Sequence, residues 1–161
     1  MRSRTAAALS PEAADGGVLG ADAVRLGLSA TDKEDALRQC GAVLVEIGAA
    51  GPAYADAILE REQSVSTYMG EGFAIPHGTD ASREFINRAA LAFLQFPAGV
   101  DWNGKECFVC IAIASKSDEH IGILQSLAMV LTDKESAQRL RETSSVDEVL
   151  TLLTAEDDDD D

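Results

Sequence analysis

The sequence predicts a single α/β (α+β) domain in which helices flank both faces of a mixed β-sheet. A length of 161 residues suits one domain, and an apolar fraction of 46% is enough to build a buried core. The spacing of apolar residues changes along the chain, from helical to strand-like and back to helical. Helices on both sides of a strand block in sequence are typical of a sheet covered by helices.

Two helices are predicted before the strands. Thr31 and Glu34 form a capping-box pair, after which apolar residues recur at helical spacing as far as Ile47. Pro52 suits the first turn of a second helix, which runs to about Gln63.

Four extended segments follow. Residues 65–69 and 72–75 are short, whereas residues 89–96 and 106–114 are apolar enough to form central strands. The two long strands are predicted to be joined by a loop of turn-forming residues, namely Pro97, Gly99, Asn103 and Gly104. Capping residues then mark three further helices: Asp118, Thr132 or Asp133, and Ser145 paired with Glu148.

The distribution of charge excludes some classes of partner and indicates where the folded domain ends. The net charge is −15; every residue from Glu156 to Asp161 is acidic, and the rest of the chain is acidic without them. Such a surface argues against nucleic acid or an anionic membrane as a partner. We expect a disordered N-terminus over residues 1–17, a folded domain over 18–154 and a disordered acidic tail over 155–161. Neither a signal peptide nor an apolar run of ~20 residues is present, so we expect a cytoplasmic protein.

The three cysteines are predicted to be reduced packing residues. Cys107 and Cys110 match the C-x-x-C pattern, but they lie in a predicted strand, where residues three apart point to opposite faces of the sheet. With Cys40 the number of thiols is odd, so a complete set of disulfides is excluded.

Two histidines are the candidate catalytic groups, because each lies at a predicted junction. His77, in GEGFAIPHGTD, directly follows a strand-like run, and His120 lies in the first turn of the helix capped by Asp118. Strand ends and helix starts can share one crevice, and a helix start suits an anion such as phosphate. The alternative for His77 is a residue of a turn without a catalytic role. The alternative for His120 is a surface residue that caps a helix. The spacing of the two histidines is not that of metal ligands, and no G-x-S-x-G motif occurs.

An imidazole without a metal or a hydrolytic partner can act as a nucleophile toward phosphorus. Near neutral pH the ring is substantially uncharged, so one of its nitrogens can attack. Arg61, at the end of the second helix, is a candidate for holding the transferring oxygens. The alternative for Arg61 is a solvated side chain that faces Glu60 and Glu62.

Two segments resemble the EIIA domains of the bacterial sugar phosphotransferase system, in the mannitol/fructose class. They are LEREQSVSTYMGEGFAIPHGTD at residues 59–80 and IAIASKSDEHIGILQSLAMVLTD at residues 111–133. FLQFPAGVDW between them and SSVDEVLTLL near the end agree with the same class, and mannitol-specific EIIA is the most similar branch. The resemblance implies the EIIA type-2 fold for residues 18–154, again a mixed sheet flanked by helices.

The resemblance also implies a role for each matching residue. His77, exposed at a strand end, would accept a phosphoryl group from phospho-HPr and pass it to a cysteine of a cognate EIIB, which is coupled to membrane EIIC. His120 would support the phosphoryl group without carrying it, and Arg61 would stabilise its charge. The chain would then be a phosphotransferase component for sugar uptake that needs no metal or cofactor, with mannitol favoured over fructose or another polyol.

Two other functions stay open on the sequence. The nitrogen-related branch of the same superfamily also has a P-H-G element, and it implies a regulatory module that acts by phosphorylation-dependent protein binding. A phosphate- or nucleotide-binding module without transfer chemistry would bind small ligands and form no covalent adduct.

Overall fold

The computed structural model describes residues 19–115, 125 and 127–154, which are organised around one five-stranded sheet. The strands are β1 (Val24–Arg25), β2 (Tyr68–Gly70), β3 (Phe73–Ala74), β4 (Ala90–Trp102) and β5 (Lys105–Ala114), and their order in the sheet is β1-β4-β5-β3-β2. The β1/β4 and β3/β5 pairs are parallel, whereas β4/β5 and β2/β3 are antiparallel. The predicted mixed sheet is therefore confirmed.

Helices pack against this sheet. They are α1 (Lys33–Glu46), α2 (Pro52–Ser64), α3 (Lys134–Glu142) and α4 (Val146–Thr154), with 3₁₀ helices at Ala21–Ala23 and Asp80–Phe85. Residues 125 and 127–131 are also helical. α1 packs on α2 so closely that a Cβ at Gly41 would lie 2.5 Å from the Cβ of Ala55. No helix of the described ranges is long and apolar enough to cross a bilayer.

The first helix begins one residue later than predicted. Asp32 is its N-cap, and the Asp32 carboxylate accepts a hydrogen bond from the N–H of Asp35 at 2.8 Å. The Asp35 carboxylate in turn accepts from the N–H of Thr31 at 3.0 Å. This pair of aspartates supplies the capping contacts predicted for Thr31 and Glu34, because a carboxylate reaches the free N–H groups of the first turn.

Two later caps are confirmed. Asp133 accepts from the backbone N–H of Ser136 at 3.0 Å, and Ser145 Oγ accepts from the N–H of Glu148 at 3.1 Å. The hydroxyl and the backbone N–H of Ser136 both stabilise the charged carboxylate, so they lower the pKa of Asp133. The predicted cap at Asp118 lies outside the described residues, as do the predicted N-terminal segment 1–17 and the acidic tail 155–161.

The predicted loop between the long strands is wrong in its first half. β4 continues through Pro97, and only Asn103 and Gly104 turn the chain, with φ angles of 57° and 91°. Two residues with positive φ make the tight turn that matches the twist of a hairpin. The pairing register shifts between Gln95 and Val100, and such an irregularity can accommodate a proline that has no N–H for the ladder.

The prediction that Cys107 and Cys110 point to opposite faces is also wrong. The N–H groups of residues 108–109 both donate to the carbonyl of Gly72, so the regular alternation of side chains fails between the two cysteines. Hydrogen bonds with the thiols of Cys107 and Cys40, together with burial, raise the pKa of Cys110. The three thiols are thus neighbours in the core, and all three are free and buried.

Candidate functional site

His77 lies where the chain leaves β3 and passes the end of β5. The N–H of Ile113 donates to the carbonyl of Pro76 at 2.8 Å, and His77 forms an isolated parallel bridge with Ile113. The histidine is half-buried rather than fully exposed. It therefore lies at the carboxyl end of a parallel strand pair, which is the edge of the sheet where the sequence places it.

A hydrogen bond to the backbone sets the tautomer of His77. Nδ1 lies 2.9 Å from the carbonyl oxygen of Ile75. Because a carbonyl oxygen only accepts, we assign the proton of the neutral ring to Nδ1, and the ring lone pair is then on Nε2. In this tautomer Nε2 is the ring nitrogen with the lone pair, a point that the sequence leaves undecided.

Tyr54 of α2 holds the peptide that follows His77. Its hydroxyl accepts from the N–H of Gly78 at 2.9 Å and donates to the carbonyl of Ile113 at 2.7 Å. Tyr54 is only 3% exposed. Burial raises the pKa of its phenol, although the hydrogen bond from Gly78 and the charge of Arg83 act in the opposite direction. The hydroxyl thus stays protonated and can keep donating.

Gly78 is required for close packing rather than for an unusual backbone angle. Its φ is not in the left-handed region. A Cβ at this position would lie 2.5 Å from Cε1 of Tyr54 and 2.5 Å from Oγ of Ser82. The absence of a side chain therefore lets the chain after His77 lie directly against the tyrosine ring.

Arg61 lies in the last turn of α2 and binds the chain that follows the helix. Its Nη1 donates to the carbonyl of Val65 at 2.7 Å. The alternative in which Arg61 faces Glu62 is wrong, because Glu62 is 4% exposed and its carboxylate points into the core. Among the described residues, no ion pair to Arg61 is formed.

The buried carboxylate of Glu62 is a feature that the sequence analysis missed. It accepts from the Thr67 N–H at 3.0 Å, from the Thr67 hydroxyl at 2.5 Å and from the Trp102 indole N–H at 3.0 Å. The ammonium of Lys33 lies 3.5 Å away. Each contact supports a charge that would be costly if buried alone. No local pattern indicates this burial, since Trp102 and Lys33 lie far from Glu62 in sequence.

The Glu62 network connects to the histidine through the backbone. The carbonyl of Thr67 accepts from the N–H of Ile75 at 3.0 Å, which continues the antiparallel register of β2 and β3. Val65 is two residues before Thr67, and His77 is two residues after Ile75. The Arg61 guanidinium, bound to Val65, therefore lies at the end of the hairpin that carries His77.

The opposite end of the β2–β3 hairpin is also fixed by side chains. Its turn contains Glu71 and Gly72, with φ angles of 57° and 87°. The Tyr68 hydroxyl accepts from the N–H of Gly72 at 3.1 Å and donates to the carbonyl of Glu106 at 3.1 Å. Arg141 of α3 donates to the carbonyl of Glu71 at 2.8 Å.

Large apolar side chains are exposed on the segments that precede and follow His77 in sequence. Val65 is 62% exposed, Met69 42% and Phe85 39%. Val65 is the residue bound by Arg61, and Phe85 ends the 3₁₀ helix that follows His77. Contiguous exposed apolar groups mark surfaces that contact other proteins, so these three side chains are candidates for such a surface.

The second predicted histidine, His120, lies outside the described residues. In the described part of the chain, Arg61 binds Val65, which lies at the same end of the β2–β3 hairpin as His77. Within residues 19–115, 125 and 127–154, no group of three or more His, Cys, Asp or Glu side chains is placed to hold a metal ion.

Comparison with solved structures identifies the fold as that of the EIIA proteins of the phosphotransferase system. The chain superimposes on the structure of enzyme IIA-mannitol from Escherichia coli in complex with phosphorylated enzyme IIB-mannitol, with a TM-score of 0.80 and 38% identity over 84% of this chain and 96% of that one. It also matches the nitrogen regulatory protein IIA-Ntr from Neisseria meningitidis, with a TM-score of 0.75 and 26% identity over 88% and 99% of the two chains.

The amino-acid sequence matches one family within the EIIA proteins. The chain belongs to the family described as "Phosphoenolpyruvate-dependent sugar phosphotransferase system, EIIA 2", whose model matches residues 18–156. It is 38% identical to the mannitol-specific phosphotransferase enzyme IIA component of Halalkalibacterium halodurans over 136 residues, which cover 84% of this chain and 94% of the relative. The chain thus belongs to the EIIA family and is similar to its mannitol-specific members, so the predicted family is confirmed.

A second set of relatives is much longer than this chain. The multiphosphoryl transfer protein of Escherichia coli O157:H7 is 42% identical over 131 residues, which cover 81% of this chain. The matched region is only 35% of that protein. The chain therefore spans about a third of the multiphosphoryl transfer proteins that it matches.

Proposed function

We propose that Nε2 of His77 accepts a phosphoryl group from phospho-HPr and passes it to a cysteine of a cognate EIIB. The observation that carries this proposal is the hydrogen bond between Nδ1 of His77 and the carbonyl of Ile75, 2.9 Å long. It directs the nucleophilic lone pair to Nε2, on a half-buried ring at the end of the sheet. The family membership supports the same reaction, and so does the relative solved with phosphorylated EIIB.

The transfer balances without a cofactor. In the first step Nε2 forms a bond to phosphorus, and the bond from phosphorus to the donor imidazole of HPr breaks. In the second step the thiolate of the EIIB cysteine attacks, and the bond to Nε2 breaks. The Nδ1 proton stays in place throughout, and the Ile75 carbonyl stabilises the positive charge that the ring gains when Nε2 is phosphorylated. Positioning of the two partners therefore supplies most of the catalysis.

Arg61 and His120 are proposed to assist the transfer. The guanidinium of Arg61 lies at the same end of the hairpin as His77 and can neutralise charge on the phosphoryl oxygens. His120 is proposed, on the family resemblance, to support the phosphoryl group without carrying it.

The exposed residues Val65, Met69 and Phe85 suit partners that bind and leave. We propose that these side chains contribute to a shared docking surface for HPr and EIIB, where a small interface would keep both complexes short-lived. We propose that residues 18–154 form this phosphocarrier domain and act in the cytoplasm. Mannitol is the proposed sugar because similar proteins are mannitol-specific EIIA components, and its transport would require a membrane EIIC.

The proposal is tested by intact-protein mass spectrometry after incubation with phosphoenolpyruvate, enzyme I and HPr. The wild type should gain one acid-labile phosphoryl group, and His77→Ala should gain none. His120→Ala and Arg61→Ala should still gain one group, but more slowly. A phosphoryl group on His77→Ala at the normal rate would overturn the assignment of the acceptor.

The same phosphorylation experiment distinguishes the proposed phosphocarrier from the two alternative functions. A regulatory module of the nitrogen type would accept the group but would not pass it to the EIIB of a mannitol transporter. Its support is weaker, because identity to IIA-Ntr is 26% compared with 38% for the mannitol-specific relatives. A phosphate- or nucleotide-binding module would gain no covalent phosphoryl group, either as wild type or as His77→Ala.

A further inference from the structure

The hydroxyl of Tyr54 occupies a place in the β-ladder where a direct backbone bond is expected. In a parallel bridge, the residue on one strand bonds to the residues before and after its partner. Ile113 makes the first of these bonds through its N–H, which donates to Pro76 at 2.8 Å. The second connection, between the Ile113 carbonyl and the N–H of Gly78, runs through the Tyr54 hydroxyl at 2.7 and 2.9 Å.

We propose that Tyr54 is a positioning residue for phosphoryl transfer: its hydroxyl, inserted between Gly78 and Ile113, ends the β3/β5 pairing at His77 and sets the direction of the imidazole. This inference rests on the proposed function of His77. Both peptide bonds of His77 are tied to Ile113, one directly and one through Tyr54. The hydroxyl therefore determines how far the chain diverges from β5 immediately after the acceptor.

Removal of the hydroxyl should move the acceptor rather than leave two unpaired groups. In Tyr54→Phe, the N–H of Gly78 and the carbonyl of Ile113 can approach and form the direct ladder bond. That new bond would offset most of the stability lost with the tyrosine hydroxyl. The backbone after His77 would shift toward β5, and the ring would leave its transfer position. A displacement of about 1 Å can slow a reaction on the order of a hundredfold.

Tyr68 offers a matched control. Its hydroxyl also joins a glycine N–H to a β5 carbonyl, but the glycine is Gly72 in the β2–β3 turn and the carbonyl is that of Glu106. Tyr68→Phe removes the same chemical group, here from β2, without touching the residues beside His77. A purely structural role for both tyrosines would make the two variants alike.

The experiment measures the rate of phosphoryl transfer from phospho-HPr to wild type, Tyr54→Phe and Tyr68→Phe as a function of HPr concentration, together with their melting temperatures. We expect the maximal rate of Tyr54→Phe to fall roughly ten- to a hundredfold with an unchanged KM for phospho-HPr. Tyr68→Phe should keep the wild-type rate and lose more stability. Equal rates for Tyr54→Phe and wild type, or equal losses in both variants, would overturn the proposal.

Nuclear magnetic resonance of the unphosphorylated proteins supplies a readout that does not depend on transfer. The ring signals of His77 and the amide signal of Gly78 should shift in Tyr54→Phe and stay unchanged in Tyr68→Phe. If the wild type itself accepts no phosphoryl group, the proposed function fails, and the ring signals alone decide whether Tyr54 positions His77. Unshifted ring signals in Tyr54→Phe would overturn the positioning role.

Discussion

At each end of β5, a tyrosine hydroxyl joins a glycine N–H to a carbonyl of the strand. The two ends differ in the conformation and surroundings of that glycine. At the start of the strand, the Tyr68 hydroxyl joins Gly72 to Glu106; at its end, the Tyr54 hydroxyl joins Gly78 to Ile113. At the start the glycine has a positive φ and belongs to a tight turn. At the end the glycine is packed flat against a tyrosine ring and follows the histidine.

We expect the tyrosine hydroxyl at the start of β5 to serve stability and the one at its end to serve phosphoryl transfer. At the start of β5, the hydroxyl completes a turn whose strands are already paired, so it reinforces local structure. At the end, the hydroxyl interrupts a ladder that would otherwise continue, so it holds the chain away from the sheet beside His77. The same bond therefore stabilises the fold at one end and shapes the site at the other.

The largest expected effect comes from the buried carboxylate of Glu62. Glu62→Gln should lower the free energy of unfolding by about 3 kcal/mol, because the amide cannot accept all the hydrogen bonds from Thr67 and Trp102 and leaves Lys33 without its counter-charge. Urea denaturation measures the change. Glu60→Gln, exposed on the same helix, is the control and should change stability by less than about 0.5 kcal/mol. A similar small change for Glu62→Gln would contradict the role of the network.

A pair of glycine substitutions compares the two ends directly. Gly78→Ala places a Cβ 2.5 Å from the Tyr54 ring, and Gly72→Ala places one 2.8 Å from the Phe108 ring at a φ of +87°. Each should cost about 2 kcal/mol of stability, from overpacking at both sites. Only Gly78→Ala should also slow transfer, by at least about tenfold. The comparison fails if Gly72→Ala, measured while folded, slows transfer as much.

The smallest expected effect is the pH dependence of stability contributed by Tyr54. Burial raises the pKa of the phenol in the folded protein, so the unfolded chain ionises first as the pH rises above about 10. This contribution to stability is complete below that pH and is lost as the pH rises toward the folded pKa. Urea midpoints at pH 8 to 11 should therefore fall more steeply for wild type than for Tyr54→Phe. Parallel curves would show that ionisation of this phenol is not linked to unfolding.

Local patterns in the sequence predicted much of the fold. The sequence predicted the start of α2 at Pro52, the caps at Asp133 and Ser145, and the two long strands. It also predicted that His77 follows a strand. Each of these features depends on neighbouring residues. Even the misplaced start of α1 differs by one residue, since Thr31, Asp32 and Asp35 are all capable of capping.

Long-range pairing decided the features that the sequence left out. The two-residue strand β1 is too short to have a period and exists because it pairs with β4. The adjacency of Cys107 and Cys110 depends on a backbone irregularity opposite Gly72, which no alternation of side chains reveals.

By itself, the sequence determined the class of fold, the family and the candidate acceptor His77, because periodicity, caps and the P-H-G motif are written in adjacent residues. Only the tertiary structure decided that Nδ1 of His77 faces the carbonyl of Ile75, that Glu62 is buried against Trp102 and that Tyr54 lies between Gly78 and Ile113. Tyr54 and Ile113 are 59 positions apart. Contacts over such a separation depend on the order and register of the strands, and a single hydroxyl in a ladder has no pattern in sequence.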